Sequence, residues 1–357
     1  LECGLGGPAW TRRPSQRVPT HLSSRDPSCP ACLMGSFGQY TVVKAVNGTD
    51  RESFAAVWGQ VWVVRSPCGE LRWLKQMKGD ADGLSGKGVR EVAIMQQLAK
   101  GVQCPNIIRL AEAFTSSSCL HIVCEHVVHD LNTYMESHRL DAGSLQSLGL
   151  QLVSAVAHVH GRGVLHRGLK PGSVLFTPAG RLVLAGFATA CKFPAGGHGE
   201  GGYRDEFRCC TALLVRPPEL LLGLCEYGPA VDIWGLGWLL ATMALGRMAF
   251  DPNADDGAFW PETPEFNLTL AIFRRLGTPE PPHPLLRLPH FTEELELAAE
   301  DARGWDDARP LLGAAGVELL GELLALDPGR RPSASAALRH AYFAGHGAPG
   351  AAAAGPG

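Results

Sequence analysis

Residues 163–176 read GVLHRGLKPGSVLF and combine the residue types of an enzyme's working loop with an apolar segment that follows them. A His-Arg pair and a Lys-Pro pair come first, and a strand-like VLF closes the stretch. The two positions at which such a loop would carry an acid and an amide hold Gly168 and Ser173. An acid can accept a proton and an amide oxygen can bind a metal, and neither Gly168 nor Ser173 carries such a group. The stretch therefore indicates either a catalyst that has lost its chemistry or a fold that serves another purpose.

The composition predicts a globular protein. The chain has 357 residues, 45% of them hydrophobic, which is enough for one large two-lobed domain or two ordinary domains. Its formal net charge is −3, only 19% of its residues are charged, and it lacks a dense basic run, which argues against binding to nucleic acid or to a membrane surface. No apolar run reaches the roughly 18–20 residues that cross a bilayer. We expect protein or small-molecule partners and a soluble location in the cytoplasm, the nucleus or both.

The eleven cysteines are scattered, and several lie inside apolar runs, so we expect free thiols. One close pair, Cys29 and Cys32, has the spacing of a zinc knuckle, but no second pair of ligands lies near it in the sequence. A structural zinc site needs four ligands. The sequence therefore predicts no metal site.

Both ends of the chain lack hydrophobic periodicity. Residues 1–37 are rich in Pro, Ser, Arg and Gly and predict a disordered or unspliced extension, and the low-complexity residues 346–357 predict a disordered tail. Between them we expect an N-terminal lobe over residues 38–128 and a C-terminal lobe over residues 129–345.

The N-terminal lobe is predicted to be mostly β. Residues 40–78 are rich in β-branched and aromatic residues separated by turn formers, which predicts a small antiparallel sheet, and two further strands are expected at 107–114 and 119–127. Residues 88–100 carry apolar positions at helical spacing. We expect one face of this helix to hold Val89, Val92, Met95 and Leu98.

The C-terminal lobe is predicted to be mostly helical from Leu131 onward. A polar start and a glycine-rich end frame a long helix within residues 144–163. Residues 174–176 and 182–185 are apolar and are separated by TPAGR, which predicts a hairpin inside this helical lobe.

This order of elements, together with the segments HRGLKP, RPPELLLG, AVDIWGLGWLLATM, IFRRLGTP and LDPGRRPSASAALRHAYF, closely resembles the eukaryotic protein kinases. IFRRLGTP is typical of the cyclin-dependent group, and GVREVAIM resembles that group's cyclin-facing helix. The resemblance covers about residues 38–345. It implies an α+β bilobal kinase fold, with a small antiparallel β lobe that carries one helix and a larger, mainly α lobe. It also implies a cyclin-like protein partner at the helix from Val89 to Met95.

Part of the nucleotide site that this resemblance implies is retained. Lys75 matches the lysine that grips the phosphates, and Glu91 matches its partner on the helix. The residue that lies over the adenine is usually Ala but is Trp73 here, and an indole would fill the pocket or force it open. A one-residue strand slip would instead turn Trp73 to the outer face. Residues 53–58 match the glycine-rich phosphate cover but contain no glycine.

The catalytic positions that the resemblance implies are not retained. Gly168 replaces the Asp that accepts the proton, and Ser173 and Gly186 replace the Asn and Asp that hold Mg²⁺. Lys170 remains. Aligning backward from Arg216 places Phe207 where an activating Thr would lie. We therefore expect no intact catalytic residue, no bound metal and no obligatory cofactor.

Three readings of the function stay open. The first is a cyclin-dependent-kinase-like pseudokinase that acts through a protein partner. The second is a divergent Ser/Thr kinase that uses ATP and Mg²⁺, in which case Lys75, Glu91 and the hinge residues Glu125, Val127 and Asp130 would bind nucleotide. The third is a decaying gene without a selected role. Asp130 could alternatively cap the next helix.

Overall fold

The computed structural model describes residues 36–46, 60–79, 83–193, 213–251, 263–292 and 302–345. A six-stranded antiparallel sheet forms the first lobe, with strand order β1-β2-β3-β4-β6-β5. These strands are β1 Ser36–Phe37, β2 Tyr40–Ala45, β3 Gln60–Arg65, β4 Leu71–Lys78, β5 Leu110–Ser116 and β6 Cys119–Glu125. The predicted antiparallel sheet is confirmed, and β5 begins three residues later than the apolar pattern suggested.

The two faces of this sheet have different apolar neighbours because side chains alternate along a strand. Leu74 on β4 pairs with Trp62 on β3, and both belong to an outer apolar cluster that includes Tyr40. Trp73 and Lys75 lie on the opposite face, which turns toward the helix and the second lobe. The register of β3 and β4 thus decides which side chains reach the space between the lobes.

Helix α1 spans Gly86–Leu98 and packs on the inner face of the sheet. Its buried residues are Gly88, Glu91, Ile94, Met95 and Leu98. The predicted face was therefore wrong at Val89, which is 49% exposed, because the stripe of buried residues passes through the neighbouring glycine. A Cβ on Gly88 would lie 2.8 Å from Leu120 Cδ2 and 2.9 Å from Met77 Sδ, so glycine lets the first turn approach the sheet closely.

The second lobe is mainly helical, as predicted. Its longest helix begins after Asp141, whose carboxylate accepts a hydrogen bond from the backbone N–H of Ser144 at 2.7 Å. The helices are α2 Leu131–Ser137, α3 Ala142–Gly161, α4 Pro218–Leu221, α5 Ala230–Leu245, α6 Pro264–Leu276, α7 Arg309–Leu323 and α8 Ala334–Ala337. Helix α5 is buried from Val231 to Ala244, and α3 and α7 pack against it.

Short strands line the junction between the lobes. They are β7 His129–Asp130, β8 Val164–Leu165, β9 Val174–Phe176, β10 Leu182–Leu184 and β11 Cys191–Lys192. Strands β9 and β10 pair antiparallel and confirm the predicted hairpin. Backbone hydrogen bonds from Ile108 N to Leu184 O at 3.0 Å and from Leu184 N to Asn106 O at 2.8 Å join the hairpin to the segment after α1. These two bonds therefore tie the hairpin of the second lobe to the segment that leads into β5 of the first lobe.

A buried ion pair braces the second lobe. The Arg331 guanidinium donates to both carboxylate oxygens of Glu219, each at 2.7 Å, and also to the carbonyl oxygens of Ala325 and Ala230 at 2.8 and 3.0 Å. Its planar group lies 4.9 Å from the ring centroid of Trp234. The pair therefore has bidentate geometry, which fixes the orientation of both side chains.

Within the described ranges, no helix combines the length and the apolar character that a membrane crossing requires. The cysteines in these ranges form no disulfide with one another, which agrees with the expected thiols. Cys29 and Cys32 lie outside them, as do the extension up to residue 35 and the tail after residue 345.

Candidate functional site

The retained lysine and glutamate form a buried ion pair between the sheet and α1. Lys75 Nζ on β4 lies 2.5 Å from Glu91 Oε2 on α1, and both side chains are less than 5% exposed. A charge-assisted hydrogen bond of this kind in a water-poor setting is strong, and loss of either partner would leave a buried charge alone. The pair holds α1 against the sheet without any contribution from a nucleotide.

Trp73 lies on the same face of β4 as Lys75. Its strand neighbours are Val63 and Cys124, it is 3% exposed, and it belongs to the apolar cluster that also contains Val127 and Leu175. The alternative in which a strand slip turned Trp73 to the outer face was wrong, because Leu74 occupies that face. A buried indole therefore stands at the position that the family resemblance places over the adenine.

The loop after β8 is anchored by a buried carboxylate. Asp232 on α5 accepts hydrogen bonds from the backbone N–H groups of His166 and Arg167, both at 2.8 Å, and from His160 Nε2 at 2.9 Å. Burial by itself raises the pKa of Asp232, but the hydrogen bonds that its carboxylate accepts, with that of His160 foremost, hold this pKa below its usual value. Arg167 takes a positive φ of 59°, so the loop has an unusual backbone that these bonds stabilise.

His166 has a structural place in this loop. The backbone N–H of Gly168 donates to His166 Nδ1 at 3.2 Å, so the proton of the neutral ring is on Nε2, which contacts the carbonyl oxygen of Ala185 at 2.9 Å. Burial lowers the pKa of His166 despite the nearby Asp232 carboxylate. The ring of His166 is therefore held by two backbone groups of the loops around it.

At the position of the proton acceptor, Thr189 fills the space beside Gly168. A Cβ on Gly168 would lie 2.8 Å from Thr189 Oγ1, and that hydroxyl donates to the carbonyl oxygen of His166 at 3.2 Å. A contact of 2.8 Å is shorter than van der Waals packing allows, so an added side chain would have to displace the threonine. The sequence pattern contained no sign that residue 189 opposes residue 168.

At the first metal position, Ser173 is bonded back to its own turn. Its Oγ donates to the carbonyl oxygen of Lys170 at 2.7 Å and accepts the Lys170 backbone N–H at 3.0 Å. The side chain is fully buried. A neutral hydroxyl that already makes two internal hydrogen bonds is a poor ligand for Mg²⁺, which prefers carboxylate, carbonyl and water oxygens.

At the second metal position, Gly186 supplies backbone shape and no ligand. It adopts the left-handed conformation with φ 87° and ψ 43°, which glycine takes without steric cost. The next residue, Phe187, is fully buried with its ring centroid 4.9 Å from that of His166, and its turn packs against α1. In the described part of the chain, no three His, Cys, Asp or Glu side chains are grouped to hold a metal.

Lys170 is a cation without an acidic partner among the residues that the structure describes. Burial, followed by the charge of Lys75, lowers the pKa of Lys170 from 10.5 to about 8. Below about pH 8 both the folded and the unfolded chain hold this proton. Burial of the charge then lowers the free energy of unfolding. Between about pH 8 and 10.5 the unfolded chain holds it more strongly, so the group makes stability rise with pH across this window.

Replacement of Lys170 by Met is therefore expected to raise the melting temperature at pH 7, because it removes the penalised charge and keeps most of the side-chain volume. The difference from the unmodified chain should shrink as the pH rises through the window above pH 8. Thermal unfolding across this pH range measures the effect, with Lys87→Met as the control because Lys87 is exposed. If Lys170→Met melts at a lower temperature than the unmodified chain at pH 7, the buried charge of Lys170 does not destabilise the fold.

The hinge residues are engaged within the protein. The Glu125 carboxylate accepts Arg181 Nη2 at 2.7 Å and the Arg109 backbone N–H at 2.9 Å, while Val127 is 5% exposed within the main apolar cluster. Asp130 accepts the Thr133 backbone N–H at 2.8 Å and is the N-cap of α2, which confirms the capping alternative. The bond from Arg181 to Glu125 links the two lobes and was not foreseen from the sequence.

Other expectations fall on residues that are not described. The predicted phosphate cover, residues 53–58, and the predicted activation-segment position Phe207 lie outside the described ranges. What the structure places together is Lys75, Glu91, Trp73, Gly168, Ser173 and Gly186, around the junction of β4, α1 and the loops after β8 and β10.

Comparisons with known proteins agree with this arrangement. Residues 59–343 match the family profile described as "Protein kinase domain". "CTD kinase subunit alpha" of Schizosaccharomyces pombe is 30% identical over 341 residues, which cover 92% of this chain and 54% of that protein. "Cell division control protein 2 homolog 1" of Trypanosoma brucei brucei is 32% identical over 281 residues, which cover 75% of this chain and 87% of that protein. The chain thus spans about half of the first relative and most of the second.

Proposed function

Because the chain belongs to the protein kinase family and has cyclin-dependent-kinase-like relatives, we propose that it is a pseudokinase that acts by binding a protein partner. Phosphoryl transfer requires an acceptor for the hydroxyl proton and metal ions that neutralise the phosphates. Gly168, Ser173 and Gly186 supply neither a carboxylate nor an amide at the three positions concerned. The residues present at these positions do not fit Mg²⁺.

The observation that carries this proposal is that internal contacts take up the space and hydrogen-bonding capacity of the lost groups. Thr189 Oγ1 lies where a side chain at Gly168 would begin, and the Ser173 hydroxyl bonds to Lys170 on both its donor and acceptor sides. Trp73 is buried on the face that bears Lys75. These three features lie in separate motifs, and each favours a stable fold without substrate.

The partner surface proposed here is the exposed side of α1 and the residues before it. Leu84 is 41% exposed and Val89 is 49% exposed, so this side of the molecule offers two neighbouring apolar side chains to a partner. The opposite side of α1 is held by the Lys75–Glu91 pair and by the close approach of Gly88 to Met77 and Leu120. A cyclin-like protein fits this surface best, because the family's cyclin partners meet the matching helix.

The nucleotide reading can be tested by thermal unfolding of the full chain with ATP, with Mg²⁺ and with both. We expect no rise in the melting temperature under any of the three conditions, because the buried Trp73 indole stands at the position that covers the adenine and Ser173 and Gly186 provide no metal ligand. A ligand present at about 100 times its dissociation constant would add about 2.7 kcal/mol of stability. Trp73→Ala provides the matched variant, in which Lys75 remains and ATP alone is expected to raise the melting temperature. A rise in the unmodified chain that requires Mg²⁺ would overturn the pseudokinase proposal.

The docking surface can be tested with a panel of purified cyclins and the full chain. Val89→Asp is expected to weaken binding by about 10-fold or more, because it places an unpaired charge in an apolar contact, a cost of about 1.4 kcal/mol or more. Val102→Asp is the control, since Val102 is 84% exposed and lies beyond the end of α1. Equal loss of binding in both variants, or no loss in either, would show that the partner does not bind the exposed side of α1. Circular dichroism should show the same fold for both.

A second candidate function is a divergent Ser/Thr kinase. The 2.5 Å contact between Lys75 and Glu91 favours it, since this pair aligns phosphates in active kinases. This reading predicts phosphate transfer from labelled ATP to a Ser/Thr peptide library, abolished by Lys75→Met. Under the pseudokinase proposal the unmodified chain and Lys75→Met give the same background signal, and a clear difference between them would establish the alternative.

A further inference from the structure

Two neighbouring stretches of the chain join the lobes. The first, residues 108–110, runs from the segment that is bonded to the β9–β10 hairpin into β5, and the second, residues 125–128, runs from the end of β6 toward the second lobe. They lie side by side, because the backbone N–H of Glu125 donates to the carbonyl oxygen of Arg109 at 3.0 Å. The angle between the lobes therefore depends on how firmly these two stretches are held.

The Glu125 carboxylate lies at the point where the two stretches meet. Its Oε1 accepts the backbone N–H of Arg109 at 2.9 Å, and its Oε2 lies 2.7 Å from Arg181 Nη2. The Glu125 side chain is only 8% exposed. A carboxylate charge that is largely removed from water needs a cationic partner with good geometry, and Arg181 supplies it.

Arg181 belongs to the second lobe and is itself held in place. It ends the turn between β9 and β10, where its backbone N–H donates to Thr177 Oγ1 at 3.2 Å and its carbonyl oxygen accepts the Thr177 N–H at 3.0 Å. Its Nη1 donates to the carbonyl oxygen of Pro105, just before the first joining stretch. The planar guanidinium, which offers donors in a fixed fork, thus contacts the chain beside both stretches at once.

A second arginine near the same carboxylate contributes much less. Arg109 Nη2 lies 3.4 Å from Glu125 Oε2, and the Arg109 side chain is 67% exposed, compared with 30% for Arg181. A longer contact from a solvated side chain adds little to stability. The Arg109 side chain also belongs to the same lobe as β5, so it cannot restrain one lobe against the other.

We propose that Arg181 and Glu125 form an interlobe latch, which holds the two lobes at one angle without any nucleotide. Breaking the pair removes the contact that the second lobe makes with the end of β6, so the joining stretches open more often. The latch acts at the hinge and not at the Lys75–Glu91 pair, and it does not depend on the protein partner proposed for α1.

Hydrogen exchange of the full chain, measured by mass spectrometry, tests the latch. The amides of Ile108 and Glu125 are hydrogen-bonded at the joining stretches and exchange when these open. Arg181→Gln should accelerate their exchange by about 10-fold or more, the effect of losing a hydrogen bond between charged groups. Arg109→Gln is the matched control and should leave the exchange nearly unchanged, because its backbone N–H still bonds to the carboxylate.

The core of the second lobe provides the internal reference. Helix α5 is buried from Val231 to Ala244, so its amides report opening of the whole lobe. They should exchange equally in Arg181→Gln and in the unmodified chain. Acceleration of α5 by the same factor would mean a general loss of stability, and no acceleration at the joining stretches would mean that the pair does not restrain them. Either result would overturn the latch.

A second substitution shows whether the two residues act through each other. Glu125→Gln removes the charge and keeps an oxygen that can accept the backbone N–H of Arg109. The double variant Glu125→Gln with Arg181→Gln should exchange at the joining stretches no faster than Glu125→Gln alone, because the pair is already broken. If the two accelerations multiply instead, Arg181 and Glu125 act independently and the latch is excluded.

Discussion

Arg331→Ala is expected to lower the free energy of unfolding by about 3–5 kcal/mol, the usual cost of removing one partner from a buried ion pair. The Glu219 carboxylate would lose both hydrogen bonds at 2.7 Å and remain a buried charge. The carbonyl oxygens of Ala325 and Ala230 would lose their donor as well. Chemical denaturation of the full chain, followed by circular dichroism, measures the change. A loss of this size can exceed half of the stability of an ordinary domain.

Arg309→Ala is the matched control for this experiment. Arg309 also forms an ion pair, with Asp306 at 2.9 Å, but the two side chains are 53% and 84% exposed. A surface pair of this kind contributes about 0–1 kcal/mol. If the two variants unfold at similar denaturant concentrations, Arg331 does not brace the lobe as its geometry indicates. Glu219→Gln should fall between them, because it removes the charge and keeps a hydrogen-bond acceptor.

Gly168→Asp is expected to destabilise the chain without restoring phosphoryl transfer. The new Cβ would meet Thr189 Oγ1 at 2.8 Å, and overpacking of a tight site costs about 1–3 kcal/mol. A second substitution, Thr189→Ala, removes the obstructing hydroxyl. The double variant should therefore be more stable than the sum of the single effects predicts, with a coupling of about 1–3 kcal/mol in a double-mutant cycle.

The expected lack of activity has a separate physical reason. An acceptor for the proton adds about 10²- to 10⁴-fold only where the phosphates and metal are already positioned, and Ser173 and Gly186 provide no metal ligand. If the changes in the free energy of unfolding of Gly168→Asp and Thr189→Ala simply add in the double variant, Thr189 does not obstruct a side chain at position 168. Phosphate transfer by Gly168→Asp alone, absent in Gly168→Asp with Lys75→Met, would show that only the base was missing and would contradict the pseudokinase proposal.

The fold could be predicted where local patterns are strong. The strands of the first lobe, the β9–β10 hairpin and the long helix α3 follow from side-chain periodicity and from turn and cap residues, which act over a few positions. The buried face of α1 could not be predicted in the same way. Gly88 counts as a polar or neutral position in a hydrophobic pattern, yet it is buried because the sheet approaches it closely. Only the distance between α1 and β4 reveals that requirement.

The candidate site shows the same division. Two features of the site could be predicted. The Lys75–Glu91 pair follows from the motifs of the kinase resemblance, and the Asp130 cap follows from the three-residue spacing between an N-cap and the backbone N–H that it accepts. The bond between Glu125 and Arg181 joins residues 56 positions apart along the chain and had no local signal.

The sequence by itself determined the family, the two-lobed α+β architecture and the absence of a carboxylate or amide at Gly168, Ser173 and Gly186, because these are matters of residue identity in ordered motifs. The tertiary structure decided what occupies the places of the lost groups. It turned Trp73 toward the second lobe, placed Thr189 against Gly168 and bonded Ser173 back to Lys170. Such contacts depend on strand register and on how loops from different elements pack together, which no single segment of the sequence specifies.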